Sequence, residues 1–172
     1  NMIPENPLRI SAVIPAYNAG EYIARAIDSV LNQTCPVDEI IVVDDGSTDN
    51  TAGVVRAFGD KVIFIRQQNA GASAARNAGI KAATSEWIAF LDGDDEWLPD
   101  KIKLQTALLA RNPDLVWLTG NYFTCSCQEE RQAVRISPDK ARQLLGVKDY
   151  VEDYFQAYLA GLGGHTDVMM IR

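Results

Sequence analysis

Apolar and polar positions along this chain alternate between two periods. Ile10-Ser11-Ala12-Val13-Ile14 is a short apolar run closed by Pro15, the pattern of a strand buried on both faces. Behind it, Tyr22/Ile23, Ala26/Ile27 and Val30/Leu31 recur every four residues and predict a helix with one apolar face. Asn18 and Glu21 have the spacing of an N-cap and its N3 partner for that helix. The two periods then repeat. Glu39 to Val43 predicts a second strand, and a helix over 50–58 follows with Gly59 in the C′ position. Lys61 to Ile65 predicts a third strand. Small residues (Ala74, Ala75, Ala78, Ala82) mark a helix over 72–83 able to lie close to a sheet. Trp87 to Leu91 predicts a fourth strand. Pro99 suits the first position of a helix running to Arg111, and Leu115 to Leu118 predicts a fifth strand.

Strands separated by helices of this length imply βαβ units, hence an α/β fold whose mainly parallel sheet carries helices on both faces. Beyond Asn121 the rhythm breaks. Gln128 to Arg135 is polar and reads as a hairpin or loop, and 138–146 and 148–160 read as helices. The expected organisation is an N-terminal arm over 1–8 (Asn1 before Met2 resembling a tag remnant), an α/β unit over 9–120, and a different unit beginning at 121–172.

Composition narrows the classes. At 172 residues and 47% hydrophobic, the chain has enough apolar surface for one well-cored domain. A net charge of −7 argues against a nucleic-acid partner, which needs a cationic footprint. Cys35, Cys125 and Cys127 form an odd set without C-x-x-C spacing, which argues for a reducing compartment and against a disulfide framework. The single histidine, His165, lies too far along the chain to support a zinc site with Cys125 and Cys127. No run reaches the roughly 18–20 apolar residues of a membrane span.

In open parallel sheets, ligands bind beyond the carboxyl ends of the strands. Three polar clusters follow apolar strands there: Pro15-Ala16-Tyr17-Asn18, Asp44-Asp45-Gly46-Ser47 and Asp92-Gly93-Asp94-Asp95. Three carboxylates in four residues repel one another, and Asp92, Asp94 and Asp95 are candidate ligands for Mg²⁺ or Mn²⁺, with diphosphate oxygens completing the shell. Asp44 and Asp45, expected beside them in the sheet, can accept the N–H of a nucleobase or ribose hydroxyls. Ser47 or Thr48 can cap the next helix, and Tyr17 can lie against a base face. Arg76, in the small-residue helix after Asn69-Ala70-Gly71, can serve phosphate or pair with a neighbouring Asp. Neither G-x-G-x-x-G nor a P-loop signature is present.

Taken in order, Pro15-Ala16-Tyr17-Asn18, Val43-Asp44-Asp45-Gly46-Ser47-Thr48-Asp49, Asn69-Ala70-Gly71 with Ala75-Arg76-Asn77-Ala78-Gly79, and Phe90-Leu91-Asp92-Gly93-Asp94-Asp95 resemble the family 2 glycosyltransferases. The resemblance is dense over residues 9–120 and loose over 121–172. It implies a GT-A, Rossmann-like three-layer α/β/α sandwich and an inverting, metal-assisted transfer of sugar from a nucleotide-diphosphate donor, uridine being the expected base. By it, Pro15, Tyr17, Asn18, Asp44, Asp45, Gly71 and Arg76 would line the nucleotide site. Asp92, Gly93 and Asp94 would supply the D-x-D motif around ribose, diphosphate and metal, with Asp95 sharing the cation.

The family's carboxylate base lies in the acceptor-side half, after a strand that Gly163 to Arg172 resembles. The base is therefore expected beyond Arg172, with Asp167 as the candidate inside the chain, and Glu152-Asp153 as an exposed helical pair. The resemblance also implies a glycan or lipid-linked acceptor and polysaccharide work at the cytoplasmic membrane face, with peripheral membrane association. Two other classes fit parts of the pattern. A sugar-phosphate nucleotidyltransferase would carry basic residues between Pro15 and Gly20, where none occurs. A non-catalytic nucleotide- or glycan-binding module would keep the pocket without transfer.

Overall fold

A computed structural model describes residues 8–119, 123–125, 131–134 and 169–172. Seven of its strands and helices alternate as the hydrophobic pattern predicts: β1 (Ile10–Ala16), α1 (Ile23–Leu31), β2 (Glu39–Asp44), α2 (Thr51–Arg56), β3 (Ile63–Arg66), α3 (Ala72–Ala82) and β4 (Trp87–Phe90). Next come α4 (Lys101–Arg111), β5 (Trp117–Leu118), the short strands β6 (Phe123–Cys125) and β7 (Arg131–Val134), and β8 (Met170–Ile171). β6 and β7 form an antiparallel hairpin of their own. The helices expected over 138–146 and 148–160 lie outside the described residues.

The main sheet has the order β3-β2-β1-β4-β8-β5. β1 to β4 run parallel, so the ends Ala16, Asp44 and Phe90 face the same edge. β8 runs antiparallel between β4 and β5. This order corrects one expectation. The Asp44-Asp45 and Asp92 turns are not neighbours in the sheet, because β1 lies between their strands.

Alternation along the strands sorts the core into two layers. Ala12, Ile14, Ile40, Val42, Trp87 and Ala89 face α1, α2 and α4 through Ile27, Val30, Val55 and Ile102. Val13, Ile41, Val43 and Phe90 face α3 through Ala75. Strands buried on both faces are apolar at nearly every position, which is why they read as continuous runs. Each fully buried Ile or Val contributes about 1.5–3 kcal/mol of transfer free energy.

Helix ends depart from the sequence reading. Asn18 does not cap α1: the N-cap position is Tyr22, with no side-chain capping bond. Pro99 precedes α4 by two residues and sits in the turn closed by Lys101 N–H donating to the Leu98 carbonyl at 3.0 Å. One orphan N–H of α4 finds a distant partner instead. Gln33, 7% exposed, accepts the Ile102 N–H on its side-chain oxygen at 3.1 Å and donates its amide to the Leu98 carbonyl at 2.8 Å. One buried amide thus locks the end of α1 to the start of α4.

α3 approaches β1 more closely than any side chain would allow. A Cβ on Gly79 would stand 2.3 Å from Val13 Cγ1, so only glycine fits there. Gly79→Ala is expected to destabilise the fold by about 1–3 kcal/mol through overpacking, despite the better helix propensity of alanine. Urea unfolding of Gly79→Ala, Val13→Ala and the double variant checks this. Coupling between the two sites is expected, and a gain in stability for Gly79→Ala alone would refute the steric account.

Candidate functional site

The turn after β1 is built from unsatisfied backbone. Asn18 adopts φ 50°, and the N–H groups of Asn18, Ala19 and Gly20 point at the segment after β2. There they meet Ser47 Oγ, Thr51 Oγ1 and Asp49 Oδ2, each at 2.9 Å. Asn18 returns the bond, its Oδ1 accepting the Thr48 N–H at 2.8 Å. The polar run Asp44 to Thr51 therefore braces the neighbouring loop, and Ser47 and Thr48 do not cap α2. Thr51, the first residue of α2, instead donates its N–H to Asp49 Oδ1 at 2.9 Å.

The two adjacent aspartates divide the work. Asp44 is fully buried. Its Oδ1 accepts the Ser47 N–H at 2.9 Å, and its Oδ2 faces Arg66 Nε at 3.4 Å. Arg66 also donates to the Ser47 carbonyl at 2.8 Å. Asp44, expected at the ligand, is not among the residues that line the cleft: its Oδ1 closes the turn and its Oδ2 faces Arg66. Asp45, the next residue, points the other way. Its carboxylate accepts Gln67 Nε2 at 2.6 Å, Ala70 N–H at 3.0 Å and Gly71 N–H at 2.7 Å. The last two belong to the entry of α3, where an anion is favoured by the free N–H groups and the helix dipole. Burial raises the Asp45 pKa, but the hydrogen bonds from Gln67, Ala70 and Gly71 outweigh it and hold the carboxyl below its ordinary value. Gly46 permits the turn between them with φ 76°, packed where a Cβ would lie 2.9 Å from the Asn69 nitrogen.

These loops enclose a cleft of about 520 Å³ at the carboxyl edge of the sheet. Pro15, Ala16, Tyr17, Asn18 and Ala19 form one wall, with Tyr22 from the start of α1. Asp45, Asn69, Gly71, Ala72, Ala75 and Arg76 form the second, and Asp92, Gly93 and Asp94 the third. Tyr17 is 53% exposed, so its ring is offered to the opening rather than packed. Gly93 lies where a Cβ would meet the Pro15 carbonyl at 3.2 Å.

The cleft thus gathers Pro15, Tyr17, Asn18, Asp45, Gly71, Arg76, Asp92, Gly93 and Asp94 from four separate stretches. It also takes in Asn69, marked in the sequence as part of a polar cluster but not given a ligand role, and Tyr22, which sequence reasoning did not select. Tyr22 reads locally as part of a helical apolar face, yet it stands at the helix start, 39% exposed. Arg76 pairs with Asp92, Nη2 to Oδ1 at 2.5 Å, with their side chains 20% and 24% exposed. The three-carboxylate metal group is not assembled. Asp95 is outside the cleft lining, and no cluster of three His, Cys, Asp or Glu side chains placed to hold an ion exists among the described residues. The donor set that does face the cleft is Asp94, with Asp92 behind its arginine. Hard oxygens of one or two carboxylates, completed by phosphate, suit Mg²⁺ or Mn²⁺. Asp167 lies outside the described residues. No helix among those residues is long and apolar enough to cross a membrane.

Acid should probe this bracing. Asp49 is also held below its ordinary value, by its hydrogen bonds from Thr51 and from Gly20. Folded-state values below the unfolded ones mean that the stabilisation is complete above about pH 4 and is lost as pH falls through the folded values. Asp45→Asn is expected to cost about 2–4 kcal/mol near neutral pH, since it leaves N–H donors without a charged acceptor. It should also flatten the acid limb of melting temperature against pH. An unchanged limb would remove Asp45 from this role.

Known proteins share both the sequence and the geometry. Residues 11–162 match the profile of Glycosyl transferase family 2. The chain is 39% identical over 115 residues to the UDP-Glc:alpha-D-GlcNAc-diphosphoundecaprenol beta-1,3-glucosyltransferase WfgD of Escherichia coli, covering 66% of this chain and 45% of that protein. Among solved structures, S. aureus TarS 1-349 in complex with UDP-GlcNAc superposes with a TM-score of 0.55 at 31% identity, over 60% of this chain and 32% of that one. Mannosyltransferase PcManGT from Pyrobaculum calidifontis, in complex with GDP-Man and Mn²⁺, gives a TM-score of 0.58 at 26% identity, over 72% of this chain and 36% of that one. The chain spans less than half the length of the curated relatives it matches. With the GT-A type α/β sheet and its cleft in place, the chain belongs to glycosyl transferase family 2.

Proposed function

We propose that this protein is the donor-binding part of an inverting glycosyltransferase that moves sugar from a nucleotide-diphosphate sugar to a hydroxyl acceptor. The observation that carries this reading is the convergence of Asp45, Tyr17, Arg76, Asp92 and Asp94 in one cleft at the carboxyl edge of the sheet. Asp45 and Tyr17 would receive the base, Asp45 by accepting a ring N–H on Oδ2, which holds only the Gly71 N–H, and Tyr17 by stacking. Asp92 and Asp94 would receive ribose and diphosphate.

Charge decides how the diphosphate can be held. The described lining carries three carboxylates, Asp45, Asp92 and Asp94, against one guanidinium, Arg76. A diphosphate would be repelled from such a cleft without a divalent cation, which Asp94 and Asp92 would bind together with phosphate oxygens. That cation would stabilise the charge on the leaving diphosphate. The three N–H donors on Asp45 and the guanidinium on Asp92 stabilise the charged carboxylates, which makes both poor bases for an acceptor hydroxyl. We assign the base to the acceptor side, with Asp167 as the candidate within this chain.

Uridine is the base we favour, because UDP-sugars are named for WfgD and for the TarS complex. A glycan or lipid-linked acceptor is proposed on the WfgD likeness, and with it peripheral work at the inner membrane face.

Calorimetric titration with UDP, with and without Mn²⁺, tests the reading. Mn²⁺-dependent binding is expected, and Asp94→Asn should weaken it by about tenfold or more, roughly 1.4 kcal/mol. Sugar transfer by this chain alone should be slow or absent. Failure to bind UDP, GDP and dTDP alike would overturn the assignment.

A further inference from the structure

We infer that Arg76 is a built-in counter-ion that withholds Asp92 from bare divalent cations, so that cation binding is conditional on a nucleoside diphosphate. The inference rests on the donor-site reading above. It begins from two observations. Asp92 carries a guanidinium at 2.5 Å on Oδ1, in a pair whose side chains are only 20% and 24% exposed. Arg76 Nε is buried and has no hydrogen-bond partner.

Without a nucleotide, a cation entering the cleft finds Asp94 exposed but Asp92 already neutralised. A single monodentate carboxylate is a weak site for an ion that keeps most of its water. The guanidinium beside it adds repulsion, little screened because the pair is mostly out of solvent. A diphosphate changes both terms. It brings anionic oxygens to a guanidinium that has five N–H donors, with Nη2 on Asp92 and Nε without a partner, so Arg76 can turn part of its bonding to phosphate. Asp92 is thereby freed for the cation, and the phosphate oxygens supply the ligands the protein lacks. Nucleotide and cation therefore raise each other's affinity, by the same factor in both directions. A cleft with two permanently free carboxylates would load metal first and independently. This one does not.

The test is a Mn²⁺ titration without nucleotide, followed by electron paramagnetic resonance of the free ion, with a second series at saturating UDP. Wild-type protein should bind Mn²⁺ alone weakly. Arg76→Met should bind it about tenfold more tightly, with a smaller further gain on adding UDP. The double variant Arg76→Met/Asp92→Asn should lose that gain, whereas Arg76→Lys, which keeps the charge, should stay near wild type. Melting curves establish folding, and Arg76→Gln replaces the methionine variant should that one not fold. Nucleotide-free Mn²⁺ affinity unchanged by loss of the guanidinium, in a protein that still binds UDP with Mn²⁺, overturns this inference alone. Absence of UDP binding in the wild type overturns the donor reading and this coupling with it.

Discussion

The site depends on one carboxylate reaching across the sheet edge. Asp45 leaves the end of β2 and ties Gln67, Ala70 and Gly71, the connection that leads from β3 into α3. Without it, the N–H groups of Ala70 and Gly71 would lose their acceptor at the entry of α3. With it, α3 starts at a fixed point, lies against Val13 through Gly79, and carries Arg76 over the third wall of the cleft. Two of the three walls are positioned by these three bonds.

The remaining wall is set by the same principle applied to backbone. The turn after β1 cannot pair its own N–H groups, and a tight loop at a sheet edge has no strand to offer them. The side chains of Ser47, Asp49 and Thr51 take that place. A polar segment that looks like a ligand-binding string is thus largely internal scaffolding, and the groups left over face the cleft. Tyr17, Arg76, Asp92 and Asp94 are among the groups that face the cleft, and the proposed donor site draws on them.

Legibility in the sequence followed burial. β1, β2 and β4 were readable because both faces of each are covered, leaving runs with almost no polar position. β3, at the sheet edge with Ile63 and Arg66 exposed, carries a weaker pattern and is found mainly by its place between helices. β8 lies within the stretch Gly163 to Arg172 that the family resemblance reads as a strand, but its antiparallel insertion between β4 and β5 could not be anticipated. In the site, the clusters were readable as strand-end polar strings. The division between Asp44 and Asp45 was not, because it depends on Arg66 at the end of β3 and Gly71 at the entry of α3. Likewise Asn18 has the spacing of a cap, yet its partners lie 29 and 30 residues away.

The insertion of β8 bears on the order in which the molecule acquires its shape. Met170, fully buried in the larger core layer, bridges β4 and β5, and Arg172 continues the contact by donating to the Val116 carbonyl at 2.8 Å. During synthesis, β1 to β4 and the cleft they carry can collapse as consecutive, locally connected units. The far side of β4 must stay unpaired until more than seventy further residues have emerged, since Ala89 pairs with Met170. At the usual pace of elongation, roughly 5–20 residues per second, that strand edge is open for several seconds. An apolar edge exposed for so long is where association with other nascent chains begins, and its protection in the cell is a matter of timing rather than of stability.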